Sequence, residues 1–300
     1  MNISEAERVL ESSPDHRILR RIPPVANWGL RGSSNDVRRA VFVDVETTGL
    51  DQDRDEVIEL ALLPFSYDRH SGEIIEIMER DALNELREPS IPIPPESTRI
   101  HGISDADVKG KSIDANKVEA IVSAADLILA HNAAFDRPMV EKLWPVFERK
   151  HWACSLQEID WKAEGLGSGK LDYLLMRLGC FYEAHRALGD ALAGAFLLSR
   201  PLPTSRRPAL QVLLERARRP LKAIRAEETA FAQRVALKQR GYRWDDGAGS
   251  DRGKAWWILT DDPDAEIGWL NASIYSKPRL IRPIAMPATR RYSARLWERR

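Results

Sequence analysis

Short β-branched runs and longer stretches of helical spacing succeed one another along the first two hundred residues, and their order predicts a layered α/β body. Residues 40–45, 56–63 and 74–78 read as three strands of a meander, with 68–72 supplying the turn between the second and third. A proline-rich crossing at 89–95 leads to a helix over about 113–125 and a wholly apolar strand at 127–130. Helical spacing recurs at 138–150, 171–178 and 187–199. Upstream, residues 4–21 place Val9, Ile18 and Leu19 at helix-compatible positions and stop at Pro23 and Pro24, which cannot continue a helix.

Beyond residue 200 the pattern changes. Residues 201–208 contain three prolines and paired arginines, a linker composition. Residues 210–240 are rich in helix formers, with Arg and Glu at spacings that allow i to i+4 pairs. The last sixty residues are Trp-rich and punctuated by glycine, and no secondary structure is predicted there. The expected domains are therefore a helical lead-in at 1–37, a catalytic body at 38–200, a linker and helix at 201–240, and a smaller basic C-terminal module at 241–300.

Charge sharpens that division. The 300 residues carry 45 basic and 45 acidic groups, but 21 of the basic and only 11 of the acidic ones lie beyond residue 200. An acidic body joined to a basic, Trp-containing half suggests catalysis in one part and a phosphate-meeting surface in the other, although a basic tail can also simply aid solubility. Two cysteines, Cys154 and Cys180, are too few and too far apart for a disulfide scaffold or a zinc site. No run of 18 uncharged apolar residues occurs, and the charged N-terminus lacks the apolar stretch of a signal peptide. A soluble cytoplasmic protein without membrane partners is expected.

Candidate chemistry lies at the strand ends. Asp44 and Glu46 are two residues apart, so both project from one face of the first strand and can reach one cation. Thr47, Thr48, Gly49 and Leu50 then form a polar turn in which the glycine lets backbone approach a ligand. Asp136 follows the strand at 127–130 and falls in the first turn of a helix, where a carboxylate can also act merely as a cap. His185 precedes Asp190 by five residues, and an aspartate turned inward beside Ala191 and Ala195 is costly without a cation. Carboxylates without cysteine suit Mg²⁺ or Mn²⁺ and argue against zinc. Two such ions can stabilise the attacking and leaving oxygens of a phosphodiester displacement. Imidazole, titrating near ~6.5, suits proton removal from the attacking water.

The segments Val-Asp-Val-Glu-Thr-Thr-Gly-Leu at 43–50, His-Asn-Ala-Ala-Phe-Asp at 131–136 and His-Arg-Ala-Leu-Gly-Asp at 185–190 resemble the three motifs of the DEDDh exonucleases. That family includes the proofreading subunit of bacterial DNA polymerase III. Arg-Ile-His-Gly-Ile-Ser at 99–104 is similar to the family's His-Gly-Ile element, and together the matches cover roughly residues 38–200. The resemblance implies a ribonuclease-H-like mixed five-stranded sheet flanked by helices. It further implies Asp44, Glu46, Asp136 and Asp190 as ligands of two divalent cations and His185 as general base. Thr47 and Leu50 would contact the terminal nucleotide, through its 3′ hydroxyl and its base respectively. Asn132 and His101 are candidate substrate contacts that could equally be structural hydrogen-bonding groups. The tyrosine subclass would need Tyr where this chain has Arg186, so His185 places the chain in the histidine subclass. Residues 152–161 lack the Asp-Thr pair common in relatives, which suggests a subfamily apart from the replicative proofreading subunits.

The function implied is 3′–5′ exonucleolysis of single-stranded or frayed DNA ends, releasing nucleoside 5′-monophosphates, with replication or repair proteins as partners. RNA trimming and non-catalytic nucleic-acid binding are the rivals. In the C-terminal module, Arg240–Trp244 and Gly253–Trp257 interleave cations with rings, a pattern that can hold single strands; Trp244, Trp256, Trp257 and Trp269 can equally be the core of a small module. Residues 211–214 resemble a short clamp-docking peptide or, alternatively, one face of a helix.

Overall fold

A computed structural model describes residues 2–30, 32–247 and 252–297. The chain forms two compact units that divide between Ala217 and Arg218.

The first unit opens with α1 (Ile3–Glu11), capped reciprocally by Asn2 and Glu5. The helix expected to reach residue 21 stops ten residues earlier, because Pro14 follows Ser12 and Ser13 and bars its continuation. The chain instead extends into the two-residue strand β1 (Arg20–Arg21). Next come the long strands β2 (Val37–Thr47) and β3 (Val57–Asp68), then β4 (Ile74–Ile77) and β5 (Leu83–Leu86). Three helices follow, α2 (Pro95–His101), α3 (Asp105–Val108) and α4 (Ala115–Ser123), before β6 (Leu127–Ala130). The unit continues through α5 (Ala133–Glu141), β7 (Trp152–Cys154), α6 (Leu171–Arg177), β8 (Cys180–Phe181), α7 (Ala187–Leu198) and α8 (Ala209–Ala217). α5 begins five residues before Pro138, where the spacing had placed the start of a helix, and residues 145–149 form a separate 3₁₀ turn.

The main sheet has six strands where five were expected: it runs β4-β3-β2-β6-β7, with short β5 added beside β3. β2, β3 and β4 are antiparallel, whereas β6 joins β2 and β7 joins β6 in parallel, so the sheet is mixed. β1 pairs in parallel with β8 apart from it. Helix α7 lies across β2 and β3 over Ala40, Phe42, Ala61 and Leu63, all fully buried in one apolar cluster. Its Gly194 permits this approach: a Cβ there would come 2.2 Å from the Phe42 ring.

Residues 201–208 form no extended linker. Pro201 and Pro208 pair as an isolated bridge, Leu202 is buried, and α8 places Leu210, Leu213 and Leu214 in the main core. Burial of Leu213 and Leu214 removes residues 211–214 as a clamp-docking peptide.

The second unit is a four-stranded antiparallel sheet ordered β10-β11-β9-β12. Its elements are β9 (Leu221–Glu227), α9 (Arg234–Gln239), β10 (Arg243–Asp245), β11 (Ala255–Thr260), α10 (Pro263–Ser273) and β12 (Ile284–Met286). β9 occupies part of the stretch whose composition favoured helix. Ala223, Ile224 and Ala226 are fully buried there, and packing on both faces of a sheet overrides a weak helical preference. Of the four tryptophans weighed as core, Trp256 is buried, Trp257 and Trp269 are partly buried against the core, and Trp244 is 51% exposed.

Candidate active site

Alternation along β2 decides which side chains converge. Phe42 buries under α7, so Asp44 and Glu46 continue the same face toward the strand's C-terminal end. On α7, Asp190 lies one turn before Gly194, and the close seat of that glycine on Phe42 brings Asp190 down beside Asp44. Carboxylate oxygens of Asp44, Glu46 and Asp190 all fall within 4.8 Å of one another. Asp136, on the first turn of α5, is 3% exposed and accepts from the Val45 backbone; its charge reaches both Asp44 and Glu46.

Electrostatics mark this cluster as strained without a cation. Burial, followed by the charges of Asp136, Asp190, Glu46 and Glu59, holds the Asp44 carboxyl well above the usual carboxylate range. Glu46 is pushed up to about 8, first by burial and then by Asp190, Glu59 and Asp136. Burial also raises Asp136 to about 8. Asp190 is raised by burial although Tyr182 donates to its Oδ1 at 2.6 Å and the Arg186 backbone donates to its Oδ2 at 3.0 Å. Like-charged carboxylates in a poorly solvated site favour protonation unless a metal ion neutralises them. Their hard oxygen donors, with no thiolate or imidazole within the trio, fit divalent cations of the Mg²⁺ class.

His185 is exposed and takes a left-handed backbone with φ of 66°, on the loop between β8 and α7. Its charge acts on Asp190, so the two ends of the third motif face one site. Thr47 is buried, and its hydroxyl donates to the Gly49 carbonyl at 2.5 Å. A Cβ at Gly49 would lie 2.5 Å from the Asp55 carboxylate, which itself binds Thr48 and the Asp51 backbone; the turn therefore requires glycine. Leu50, at the apex, is 85% exposed. Asn132 is exposed at φ 87° and precedes α5 without capping it through its side chain. His101 ends α2 in a buried position; its Nδ1 accepts from the Ile103 backbone, while Nε2 is buried without a hydrogen-bond partner. Burial lowers its pKa against the opposing pull of the Thr47 backbone and the Glu59 charge, and the charges of His185 and Arg186 add to the lowering, which places the ring at the site.

Three participants escaped the sequence reading. Glu59 sits opposite Glu46 in the β2–β3 register and is 1% exposed. It accepts from Arg186 at 2.9 and 3.2 Å and from the Ala187 backbone at 3.1 Å, so it caps α7 and anchors the loop that carries His185. Arg186 in turn lowers the Glu46 pKa, opposing its carboxylate neighbours. Tyr182 completes the set through Asp190. The legible signal was Glu59 itself, one carboxylate among Val57, Ile58, Leu60, Ala61 and Leu62 in a buried strand. His131, by contrast, is held by Ser155 and the Gly169 carbonyl at 2.8 Å each and serves packing.

Comparison with known proteins follows the same span. The RNase_T family model, described as an exonuclease, matches residues 41–198. A PolC-type DNA polymerase III of Thermotoga maritima is 30% identical over 175 residues, covering 53% of this chain and 12% of the relative. A DNA polymerase III subunit epsilon-like protein of Rhodobacter capsulatus is 31% identical over 173 residues, covering 54% of this chain and 23% of the relative. The chain thus spans less than a quarter of the length of either. Among solved structures, exonuclease X in complex with 5′ overhanging duplex DNA is 25% identical, with a TM-score of 0.44, over 59% of this chain and 99% of that one. The zinc-bound E. coli ExoI–ssDNA complex is 16% identical, with a TM-score of 0.49, over 74% of this chain and 63% of that one.

Proposed function

The chain belongs to the RNase_T exonuclease family, and from that premise we propose that it removes nucleotides from the 3′ end of single-stranded or frayed DNA as nucleoside 5′-monophosphates. The observation that carries the reading is the convergence of Asp44, Glu46 and Asp190 within 4.8 Å inside the family-matched span. DNA rather than RNA is favoured by the names of the two polymerase III relatives.

Asp44, Glu46, Asp136 and Asp190 would hold two divalent cations, Mg²⁺ or Mn²⁺. When bound, such a pair supplies positive charge to the attacking and leaving oxygens of the scissile phosphate. The remaining chemistry belongs to the chain. His185, exposed beside Asp190, takes the proton of the attacking water, and its exposure lets it pass that proton to solvent. Glu59 and Tyr182 fix the loop and the helix that present His185 and Asp190. The Thr47 hydroxyl, donating to Gly49, keeps lone pairs to accept from a terminal 3′ hydroxyl. Leu50 offers an apolar surface to the terminal base. The unpartnered Nε2 of His101 and the exposed Asn132 amide are further polar groups for the strand.

The test is a length ladder from 5′-labelled single-stranded DNA and RNA of one sequence, with Mg²⁺ and then with EDTA. A metal-dependent ladder, faster on DNA and lost in Asp44→Ala, is the expected result. A faster ladder on RNA would move the protein to RNA processing, and full digestion by Asp44→Ala would overturn the site.

A further inference from the structure

The second unit carries an exposed row of rings and cations that the site above does not use. Helix α9 buries Leu237 in that unit's core and leaves Arg234 and Lys238, four residues apart on one face, exposed. Just before it, Phe231 is 78% exposed, and the Arg234 guanidinium stacks 3.8 Å from its ring centroid. At the other end, Lys238 Nζ stands 6.0 Å from the Trp256 ring, which meets Trp244 edge-on at 5.4 Å. Trp244, on the outer strand β10, is 51% exposed. Contacts thus join Phe231 to Arg234 and Lys238 through Trp256 to Trp244, and one turn of α9 spans the two groups.

Two features separate this row from a core edge. Core packing accounts for Trp256, which is buried, but not for the two rings left in water at either end. Neither Arg234 nor Lys238 pairs with a carboxylate among the described residues; both lie on aromatic faces instead. The unit around them holds 18 basic against 10 acidic residues over 218–300, so its field attracts polyanions.

We infer that this row is a binding surface for single-stranded nucleic acid, with bases stacking on Phe231 and Trp244 and phosphates meeting Arg234 and Lys238. Rings accept any base face, and cations between them track the backbone, so the chemistry selects a single strand without selecting its sequence. The consequence rests on the exonuclease reading: a strand held on the same polypeptide and long enough to reach the catalytic unit has a raised effective concentration there, which lowers KM without changing kcat.

The experiment uses the full chain carrying Asp44→Ala, so that the strand is not consumed, and measures anisotropy of 5′-labelled oligothymidylate across a salt series. Phe231→Ala and Trp244→Ala should each weaken binding about tenfold. Arg234→Gln with Lys238→Gln should reduce the slope of log affinity on log salt by about 1.4, since each phosphate contact on a single strand contributes about 0.7. All four positions are solvent-exposed, and circular dichroism checks that the variants are folded. Affinity and slope within about twofold of the parent would overturn the inference. So would an unchanged oligonucleotide affinity combined with lost binding to vesicles of anionic phospholipid, which would make the row a membrane contact. In the chain with Asp44 intact, the same substitutions should raise KM for digestion. If binding follows the substitutions but the intact chain digests no strand, the exonuclease reading fails and the surface stands.

Discussion

Buried Glu59 on β3 grips Arg186 at 2.9 and 3.2 Å, so the residue after the candidate general base is tied to the sheet that carries two of the candidate metal ligands. A left-handed residue such as His185 stays in place only if its surroundings fix it, and this contact together with the Ala187 backbone does so. Glu59→Gln should keep the fold, because the amide can still accept from Ala187, yet lower kcat about 10- to 100-fold by freeing the loop. Steady-state kinetics would show KM nearly unchanged; an unaltered kcat would reduce Glu59 to a capping role.

Removing one charge from the cluster should have opposite effects on activity and on stability. Asp190→Asn keeps the Tyr182 contact through its amide oxygen and relieves repulsion of Asp44 and Glu46, which offsets the lost contact with the Arg186 backbone. Digestion should fall about a thousandfold or more, while the metal-free protein melts at least as high as the parent. Calorimetry in EDTA checks this, and a large drop in Tm would mean that Asp190 supports the fold.

The raised pKa values fix the sign of a pH effect. Glu46, protonated up to about 8 in the folded metal-free chain, titrates near ~4.3 when unfolded. Its folded form therefore holds the extra proton, and the stability this gives is present at low pH and lost as pH rises toward 8. Metal binding must expel that proton, so Mg²⁺ should raise Tm more at pH 8 than at pH 6. Thermal melts with Mg²⁺ or EDTA at both values decide it; an equal Mg²⁺ effect would place the cation elsewhere.

Gly194→Ala should be destabilising in spite of alanine's better helical propensity. The gain is about 1 kcal/mol, whereas forcing a methyl group against Phe42 costs about 1–3 kcal/mol and lifts α7 from β2. Because Asp190 rides on the same helix, activity should fall further than stability predicts, and Phe42→Leu added to Gly194→Ala should recover part of both. No recovery would show that the Phe42 contact is not what seats the helix.

Much of the catalytic unit was legible because its information is local. Short β-branched and apolar runs marked β2 and β3, an unbroken apolar run marked β6, and the acidic residues at strand and helix ends stood out against apolar neighbours. Where reading failed, a distant partner decided the outcome. Helix-favouring composition at 221–227 became β9 because β11 and β12 flank it. Three prolines at 201–208 looked like a linker, yet a buried Leu202 and the bridge between Pro201 and Pro208 close them into a loop on the core.

By itself the sequence singled out the candidate residues for the chemistry: Asp44, Glu46, Asp136, His185 and Asp190 stand in motifs whose spacing is read directly along the chain. Tertiary structure alone decided what holds them. Glu59 meets Arg186 across 127 residues, and Gly194 meets Phe42 between a helix and a strand that no spacing rule connects. The physical reason is range. Side-chain periodicity follows from local backbone geometry, whereas burial, carboxylate crowding and the ion pair that restrains them arise only when distant segments share one volume.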